Sequence, residues 1–257
     1  MNALVTGAAR RIGRAMALHL ARRGHDLALH CSSSLAEAEA LAEEIRALGR
    51  KAVVLQADLL DEYATEALLP RAIDALGPLQ VLVNNASIFE PDTLFSATRE
   101  SWDRHIGSNL RAPYLLTQAF ARQCPPAQPD EWGEPVAQGL IVNMIDQRIW
   151  KPTPEFSTYT IAKMGLWALT QTAAQGLAPH VRVNAIGPGP TLKGARQSEE
   201  DFARQRRATI LGRGANAQDI LAALDYLLAA PAVTGQMIAV DGGQHLAWQT
   251  PDVAMEE

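Results

Sequence analysis

The chain has 257 residues, of which 47% are hydrophobic, and its formal net charge is −5. This length fits one large α/β domain with a substantial core, and the composition excludes a disordered chain. Basic residues are mostly scattered, so we expect no nucleic-acid partner. No apolar run reaches the roughly 18–20 residues that cross a bilayer, and a strand begins at once, so we expect no membrane span and no signal peptide. The two cysteines lie outside any metal or redox motif, which favours a reducing cytoplasm and predicts no metal site.

Apolar runs alternate with helical patterns along the chain. We predict strands at residues 3–6, 26–30, 52–56, 80–84, 139–145, 181–186 and 236–240. Helical stretches at residues 35–48 and 63–76 are each followed by a glycine that ends them. The proline-rich segment 124–138 is expected to be a surface loop. The alternation predicts a single-domain, Rossmann-like, doubly wound parallel sheet of about seven strands, with ligands bound beyond the carboxyl ends of the strands.

A glycine turn follows the first predicted strand. Gly7 comes directly after Thr6, and Gly13 stands six positions later at the start of an amphipathic helix. Free N–H groups and the helix dipole make such a corner an anion site. Gly7 permits a sharp turn beside a pyrophosphate, and Gly13 permits close packing of the helix on the sheet. The placement favours a dinucleotide site over an ordinary surface turn.

The stretch after the second predicted strand lacks the carboxylate that commonly holds the ribose 2′-OH of NAD. It offers an imidazole and hydroxyls instead, and Arg10 and Arg11 lie on the facing turn. This combination favours the 2′-phosphate of NADP(H). The serines can also cap the next helix, for which Ser34 is best placed. The side chains expected near the cofactor here are His30, Ser32 and Ser33.

Polar and aromatic residues follow the next two strands. Asp58 either accepts a hydrogen bond from adenine or caps a helix, and the sequence favours neither role. Asn85 can bridge neighbouring loops, and the small Ala86 and Ser87 allow close approach of a cofactor. Phe89 falls in a loop at the mouth of the expected crevice, where it could stack on a flat substrate.

Three residues near the fifth predicted strand carry acid–base chemistry. Asp146 follows this strand, and Tyr159 and Lys163 stand at i and i+4 on one helical face. We expect the lysine ammonium to lower the tyrosine pKa toward working pH, so that the phenol gives a proton as hydride arrives. Asp146 either takes part in this proton transfer or only orients the tyrosine and caps a turn.

Together these motifs resemble the short-chain dehydrogenase/reductase family over residues 3–246. The supporting pieces are the glycine turn, Asn84-Asn85-Ala86, Asn109, the Tyr159/Lys163 pair, Gly187-Pro188-Gly189 and Asp241-Gly242-Gly243. Most members have Gly where this chain has Arg11, and Ser where it has Asp146. Both changes are shared with the pteridine reductases, which the chain resembles most.

The resemblance implies an NADP(H)-binding domain over residues 1–248, a substrate loop at about 190–213 and a tail over 249–257. Expected cofactor contacts are Gly7, Arg11, Ile12, Gly13, His30, Ser32, Ser33, Asp58, Leu59, Asn85, Ala86, Ser87, Tyr159, Lys163, Pro188 and Gly189. Expected substrate contacts are Arg11, Phe89, Asp146 and Tyr159, with Phe89 and the nicotinamide enclosing a pterin ring. Expected catalytic residues are Asp146, Tyr159, Lys163 and Asn109, the last keeping Lys163 in place through water.

The implied function is NADPH-dependent reduction of a pterin C=N bond, taking a dihydropterin or dihydrofolate to the tetrahydro form, with Tyr159 and Asp146 supplying the proton. The alternatives are a carbonyl or 3-oxoacyl-thioester reductase of the same family and a catalytically silent NADP(H)-binding regulator. Lys193, Arg196 and Arg213 either meet an acidic folate tail or are solvated. The resemblance also implies a homotetramer, paired through the helices that carry Asn109 and Tyr159.

Overall fold

A seven-stranded, fully parallel sheet forms the centre of the structure, a computed structural model that describes residues 1–194 and 196–249. The strands of the chain are β1 (Asn2–Val5), β2 (Asp26–Cys31), β3 (Ala52–Gln56), β4 (Val81–Asn84), β5 (Gln128–Pro129), β6 (Pro135–Val136), β7 (Gly139–Met144), β8 (Val181–Pro188) and β9 (Met237–Val240). The sheet order is β3-β2-β1-β4-β7-β8-β9, and β5 and β6 form a separate antiparallel pair. The predicted doubly wound sheet is confirmed.

Helices cover both faces of the sheet. They are α1 (Arg11–Arg22), α2 (Leu35–Ala47), α3 (Glu62–Leu76), α4 (Arg99–Ile106), α5 (Ala112–Gln123), α6 (Ser157–Leu177), α7 (Glu199–Arg207) and α8 (Ala217–Ala229). Helices α1, α2 and α8 pack on one face, and α3, α5 and α6 pack on the other. None of these helices is long and apolar enough to cross a membrane.

The strands lack alternation because both of their faces are buried. In β1, Ala3 and Val5 pack beneath α1, α2 and α8, whereas Leu4 packs into the opposite cluster, and all three are fully buried. Burial of an aliphatic side chain of this kind stabilises the fold by about 1.5–3 kcal/mol. A polar residue would therefore be costly on either face of this strand.

The predicted loop at 124–138 is partly wrong, because it contains the β5–β6 pair. Asp130 organises the connection: its carboxylate accepts hydrogen bonds from the Trp132 and Glu134 N–H groups, each at 2.9 Å. Its own N–H donates to the Glu134 carbonyl at 2.9 Å. An aspartate that bonds to nearby backbone in this way favours a turn, which allows the flanking prolines to pair. The predicted C-terminal tail lies outside the described residues from position 250 onward.

Candidate active site

The turn after β1 is built around two glycines. Gly7 has φ +61°, a left-handed conformation that suits glycine. A Cβ atom on Gly13 would lie 2.2 Å from the Gly7 carbonyl oxygen and 2.4 Å from Asn85 Nδ2. No side chain fits at that distance from backbone, so the N-terminus of α1 is held directly against the turn.

Thr6 and Asn85 join this turn to the end of β4. The Thr6 hydroxyl accepts hydrogen bonds from the Asn85 and Ala86 N–H groups at 2.9 and 3.0 Å. The Asn85 amide donates to the Thr6 carbonyl at 2.8 Å. The bridging role expected as one option for Asn85 is thus present. The sequence analysis gave Thr6 no role, although its place between a strand and a glycine is the signal for one.

His30 supports the same turn through both ring nitrogens. The Gly7 N–H donates to Nδ1 at 3.1 Å, so the proton is on Nε2, which donates to the Ala57 carbonyl at 3.1 Å. Burial lowers the pKa of His30 and keeps the ring neutral. The imidazole therefore lines the cavity with both ring nitrogens bonded to backbone and no cationic charge, and its contact with the cofactor stays a prediction.

A cavity of about 400 Å³ opens beyond the carboxyl ends of β1, β2 and β4, a size typical of ligand sites. Of the expected cofactor residues, it is lined by Gly7, Arg11, Ile12, Gly13, His30, Ser32, Asp58, Leu59, Asn85, Ala86 and Ser87. Arg10, expected on the turn that faces a 2′-phosphate, also lines it, as do Ile88 and Ser108, for which no cofactor contact was predicted. Five expected residues do not line this cavity, namely Ser33, Tyr159, Lys163, Pro188 and Gly189.

The cationic side of the cavity is formed by two neighbouring arginines. Arg10 donates from Nε to Glu37 at 3.0 Å. The Arg11 guanidinium donates to the Leu192 and Lys193 carbonyls at 2.9 and 2.7 Å. Arg11 thereby fastens the loop after β8 to the glycine turn.

One of the two options for Asp58, the helix cap, is removed by Asp61. Asp61 caps α3, because its carboxylate accepts from the Ala64 N–H at 3.2 Å. Asp58 accepts from the Leu60 N–H at 3.0 Å and lines the cavity. The helix cap is therefore not Asp58, and one of its carboxylate oxygens faces no protein donor among the described residues.

Asp146 and Tyr159 form a hydrogen-bonded acid pair. The Tyr159 hydroxyl donates to Asp146 Oδ2 at 2.9 Å, and the other carboxylate oxygen accepts from the Arg148 N–H at 2.8 Å. Burial raises the pKa of Asp146. Burial and the adjacent carboxylate raise the pKa of Tyr159 well above 10. Both groups therefore favour their protonated forms more than they would in water.

The expectation that Lys163 lowers the tyrosine pKa is wrong for this arrangement. The ammonium lies 5.7 Å from the centre of the Tyr159 ring and donates to the Met144 carbonyl at 2.7 Å. Lys163 is itself 2% exposed, and burial lowers its pKa to about 8. The Lys163 ammonium is thus bonded to a backbone carbonyl. The Tyr159 phenol keeps its proton and is a proton donor rather than a phenolate.

Asn109 holds the loop after β4. It lies in a short π-helical segment, Gly107–Arg111, between α4 and α5. Its amide donates to the Ile88 carbonyl and accepts from the Ile88 N–H, both at 2.8 Å. The side chain is therefore bonded to Ile88, and the expected support of Lys163 through water stays a prediction.

Phe89 belongs to a stack of aromatic and guanidinium groups. Its ring is parallel to Phe156 at 4.2 Å and meets Tyr159 edge-on at 4.7 Å. Arg196 lies 5.7 Å from the Phe89 ring, and Arg148 lies 5.1 Å from the Phe156 ring. Phe156 was not predicted as a site residue; it directly precedes α6, and its place three residues before Tyr159 was the available signal.

The basic residues of the expected substrate loop already have protein partners. Lys193 pairs with Glu199 at 2.8 Å, and Arg213 pairs with Asp219 at 2.9 Å. Arg196 donates to the Phe89 carbonyl at 2.8 Å. Two of the three therefore contact residues expected to bind substrate: Arg196 contacts Phe89, and the Lys193 carbonyl accepts from Arg11.

Pro188 and Gly189 stand at the end of β8. The Gly189 N–H donates to the Val240 carbonyl at 3.0 Å. A Cβ atom on Gly189 would lie 2.6 Å from the Asp241 Cα atom. Close packing against the chain after β9 therefore explains the glycine.

A doubly wound sheet with a glycine turn after its first strand, together with a Tyr-x-x-x-Lys helix, defines a dinucleotide-dependent oxidoreductase. The model of the short chain dehydrogenase family matches residues 1–203. The chain belongs to this family, and it is an enzyme of the oxidoreductase class.

Solved structures and a curated relative extend this assignment. FolM alternative dihydrofolate reductase 1 from Brucella suis, crystallised with NADP, is 45% identical, covers 98% of each chain and superposes with a TM-score of 0.91. A short chain dehydrogenase from Burkholderia cenocepacia, also with NADP, is 31% identical over 95% of this chain and 97% of its own, with a TM-score of 0.83. The 3-oxoacyl-[acyl-carrier-protein] reductase FabG of Staphylococcus aureus is 32% identical over 95% of this chain and 98% of its own.

Proposed function

We propose that this protein is an NADPH-dependent reductase of a pterin C=N bond, taking a dihydropterin or dihydrofolate to the tetrahydro form. The observation that carries the proposal is the 2.9 Å hydrogen bond between Tyr159 and Asp146 beside the half-exposed ring of Phe89. Reduction of C=N requires a proton on nitrogen, and this pair offers a phenol backed by a titratable carboxyl. The 45% identity to a FolM alternative dihydrofolate reductase supports the same substrate class.

The cofactor is NADP(H), and the cavity fits it. Gly7 and Gly13 line the cavity at the start of α1, where free N–H groups and the helix dipole favour an anion. Arg10 and Ser32 line the same cavity and would hold a 2′-phosphate, and Asn85 also lines it. When bound, NADPH supplies the hydride. Two of the similar structures described above contain NADP.

The chain's own residues handle the proton. Tyr159 carries its proton near neutrality, because burial and Asp146 raise the pKa of the phenol. The phenol gives that proton to the substrate nitrogen. Asp146, whose pKa burial also raises, then takes up a proton from water and passes it to the phenolate oxygen. Phe89, which stacks on Phe156 and meets Tyr159 edge-on, places a half-exposed aromatic ring beside the phenol and would orient a planar substrate.

The second candidate is reduction of a 3-oxoacyl thioester, which the 32% identity to FabG of Staphylococcus aureus favours. The Asp146 carboxyl distinguishes the two, since a ketone oxygen needs a hydroxyl donor but not a titratable carboxyl. The test is loss of NADPH absorbance with dihydrobiopterin, dihydromonapterin, dihydrofolate and a short 3-oxoacyl thioester side by side. Turnover of a dihydropterin or dihydrofolate is expected, and turnover of the thioester alone would refute the proposal.

We also propose a homotetramer that pairs through α5 and α6. Tyr114, Ile161 and Met164 on these helices expose large apolar side chains, each about two-fifths accessible. Sedimentation equilibrium is expected to give four chains per particle, and a monomer would refute this assembly. The free thiols of Cys31 and Cys124 support a cytoplasmic location.

A further inference from the structure

Three buried polar residues next to the candidate site take no part in the chemistry proposed above. Asp92 comes from the loop after β4, His105 from the last turn of α4 and Thr158 from the first turn of α6. Their exposed fractions are 5%, 0% and 3%. Buried polar groups of this kind are costly unless their hydrogen bonds are complete, so their arrangement has a structural reason.

The hydrogen bonds fix where each proton lies. The Glu90 N–H donates to His105 Nε2 at 3.1 Å, so Nε2 carries no proton. The proton is therefore on Nδ1, which donates to the Thr158 hydroxyl at 2.7 Å. That hydroxyl in turn donates to Asp92 Oδ2. The other oxygen of the same carboxylate, Oδ1, accepts from the Thr158 N–H at 3.1 Å. Burial lowers the pKa of His105, which keeps the imidazole in this neutral form.

One arm of the network caps the helix that carries Tyr159. Helix α6 begins after Phe156, which has φ +56° and makes no side-chain cap. Asp92 replaces that cap from 66 positions earlier in the chain, because its carboxylate takes the Thr158 N–H. Tyr159 is the next residue, and its ring centre lies 6.0 Å from that of His105.

The other arm holds the loop that carries Phe89. Glu90 donates its N–H to His105 and pairs through its carboxylate with Arg104, at 2.7 and 3.1 Å. Phe89 directly precedes Glu90. One imidazole therefore fastens the aromatic loop on one side and the catalytic helix on the other.

We propose that His105 is a positioning residue that sets the Tyr159 phenol and the Phe89 ring relative to each other, through Thr158 and Asp92 on Nδ1 and through Glu90 on Nε2. In its consequences for turnover, this inference rests on the reductase function proposed above. Nδ1 holds the start of α6 and Nε2 holds the loop that carries Phe89, so we expect the loss of each hydrogen bond to have its own effect on the kinetics.

Two amide variants remove one arm at a time. His105→Asn places an amide N–H near the Nδ1 position and keeps the bond to Thr158, whereas His105→Gln places a carbonyl oxygen near the Nε2 position and keeps the bond to Glu90. For His105→Gln we expect kcat with dihydropterin to fall roughly 10- to 100-fold, the loss typical of a misplaced catalytic group, with KM little changed. For His105→Asn we expect KM to rise about tenfold with kcat retained, since binding is lost uniformly.

Substitutions at the next residue of the chain check this assignment. Thr158→Val removes the hydroxyl and is expected to lower kcat as His105→Gln does. Thr158→Ser keeps the hydroxyl and is expected to have the wild-type kcat. NADPH binding, measured by fluorescence titration, is expected to be the same in all variants. The proposal would be overturned if both His105 variants showed the same fall in kcat and the same rise in KM. Wild-type kinetics in both variants would also overturn it.

A readout without turnover separates this inference from the proposed function. The chain has four tyrosines, so 3-fluorotyrosine labelling gives a simple fluorine NMR spectrum in which Tyr159→Phe assigns the Tyr159 signal. Both His105 variants remove the imidazole ring current, so they form a matched pair. We expect the signal of Tyr159 to differ between them, with His105→Gln and Thr158→Val giving the same new position. Identical signals in His105→Asn and His105→Gln would overturn the positioning role, whether or not any pterin is reduced.

Discussion

The buried ammonium of Lys163 is expected to reduce the stability of the fold. Its side chain is 2% exposed, and burial lowers its pKa from 10.5 to about 8. This difference makes the charged form less stable in the fold than in water by about 3 kcal/mol. Lys163→Met keeps a side chain of similar length but loses the hydrogen bond to the Met144 carbonyl, which is worth about 1 kcal/mol. We therefore expect Lys163→Met to raise the free energy of unfolding by about 2 kcal/mol at neutral pH while abolishing turnover.

The stability difference between Lys163→Met and wild type is expected to depend on pH. The pKa of Lys163 is lower in the fold than in the unfolded chain, so the folded wild type releases this proton first. Wild-type stability then rises, relative to the variant, between about pH 8 and about pH 10.5. The advantage of Lys163→Met is complete below about pH 8 and is lost as the pH rises through this range.

Urea unfolding of both proteins at about pH 7 and at about pH 10 measures this difference. Lys51→Met is the control, because Lys51 is exposed, and we expect a change within about 0.5 kcal/mol. If Lys163→Met unfolds at lower urea than wild type at neutral pH, or if the difference is the same at both pH values, the buried charge is not its cause.

Four further results are expected. Gly13→Ala should abolish NADPH binding, because its Cβ would overlap backbone at 2.2 Å, whereas Gly176→Ala, with open space around it, should bind NADPH normally in the same fluorescence titration. Tyr159→Phe should lower turnover of dihydropterin by at least about a hundredfold while leaving NADPH affinity unchanged, and retained turnover would remove the phenol from the mechanism. Asp146→Ser should lose pterin reduction by roughly 10- to 100-fold more than any ketone reduction, and parallel losses would contradict a substrate-specific carboxyl. NADPH should bind at least about tenfold more tightly than NADH by calorimetry, and equal affinities would show that the arginine side of the cavity does not contact a phosphate.

Local patterns were enough to predict the sheet and the edge where the site lies. The alternation of short apolar runs with helical stretches is visible in the sequence without any knowledge of distant contacts. Parallel strands then bring their carboxyl ends to one edge of the sheet. Tyr159 and Lys163 are one helical turn apart, so their common face follows from the helix alone. Asp146 and Tyr159 lie at the two ends of one strand–helix connection, and their hydrogen bond is visible only in the folded chain.

The protonation states were not accessible in this way. The sequence analysis expected Lys163 to lower the pKa of Tyr159, because a cation four residues away is visible in the sequence. The structure reverses that expectation, since the ammonium is directed at the Met144 carbonyl and burial raises the pKa of the phenol. Burial is a property of everything that packs around a group, and no local pattern reports it.

The class of fold, the glycine turn and the candidate acid–base residues can all be read from the amino-acid order. How these parts are held is visible only in the folded chain: Arg11 binds the loop after β8, Asn109 binds Ile88, and His105 lies between Glu90 and Thr158. These hydrogen bonds join residues separated by between 15 and 182 positions in the chain. Buried polar side chains show no periodicity, and each finds its partner only once the helices have packed on the sheet.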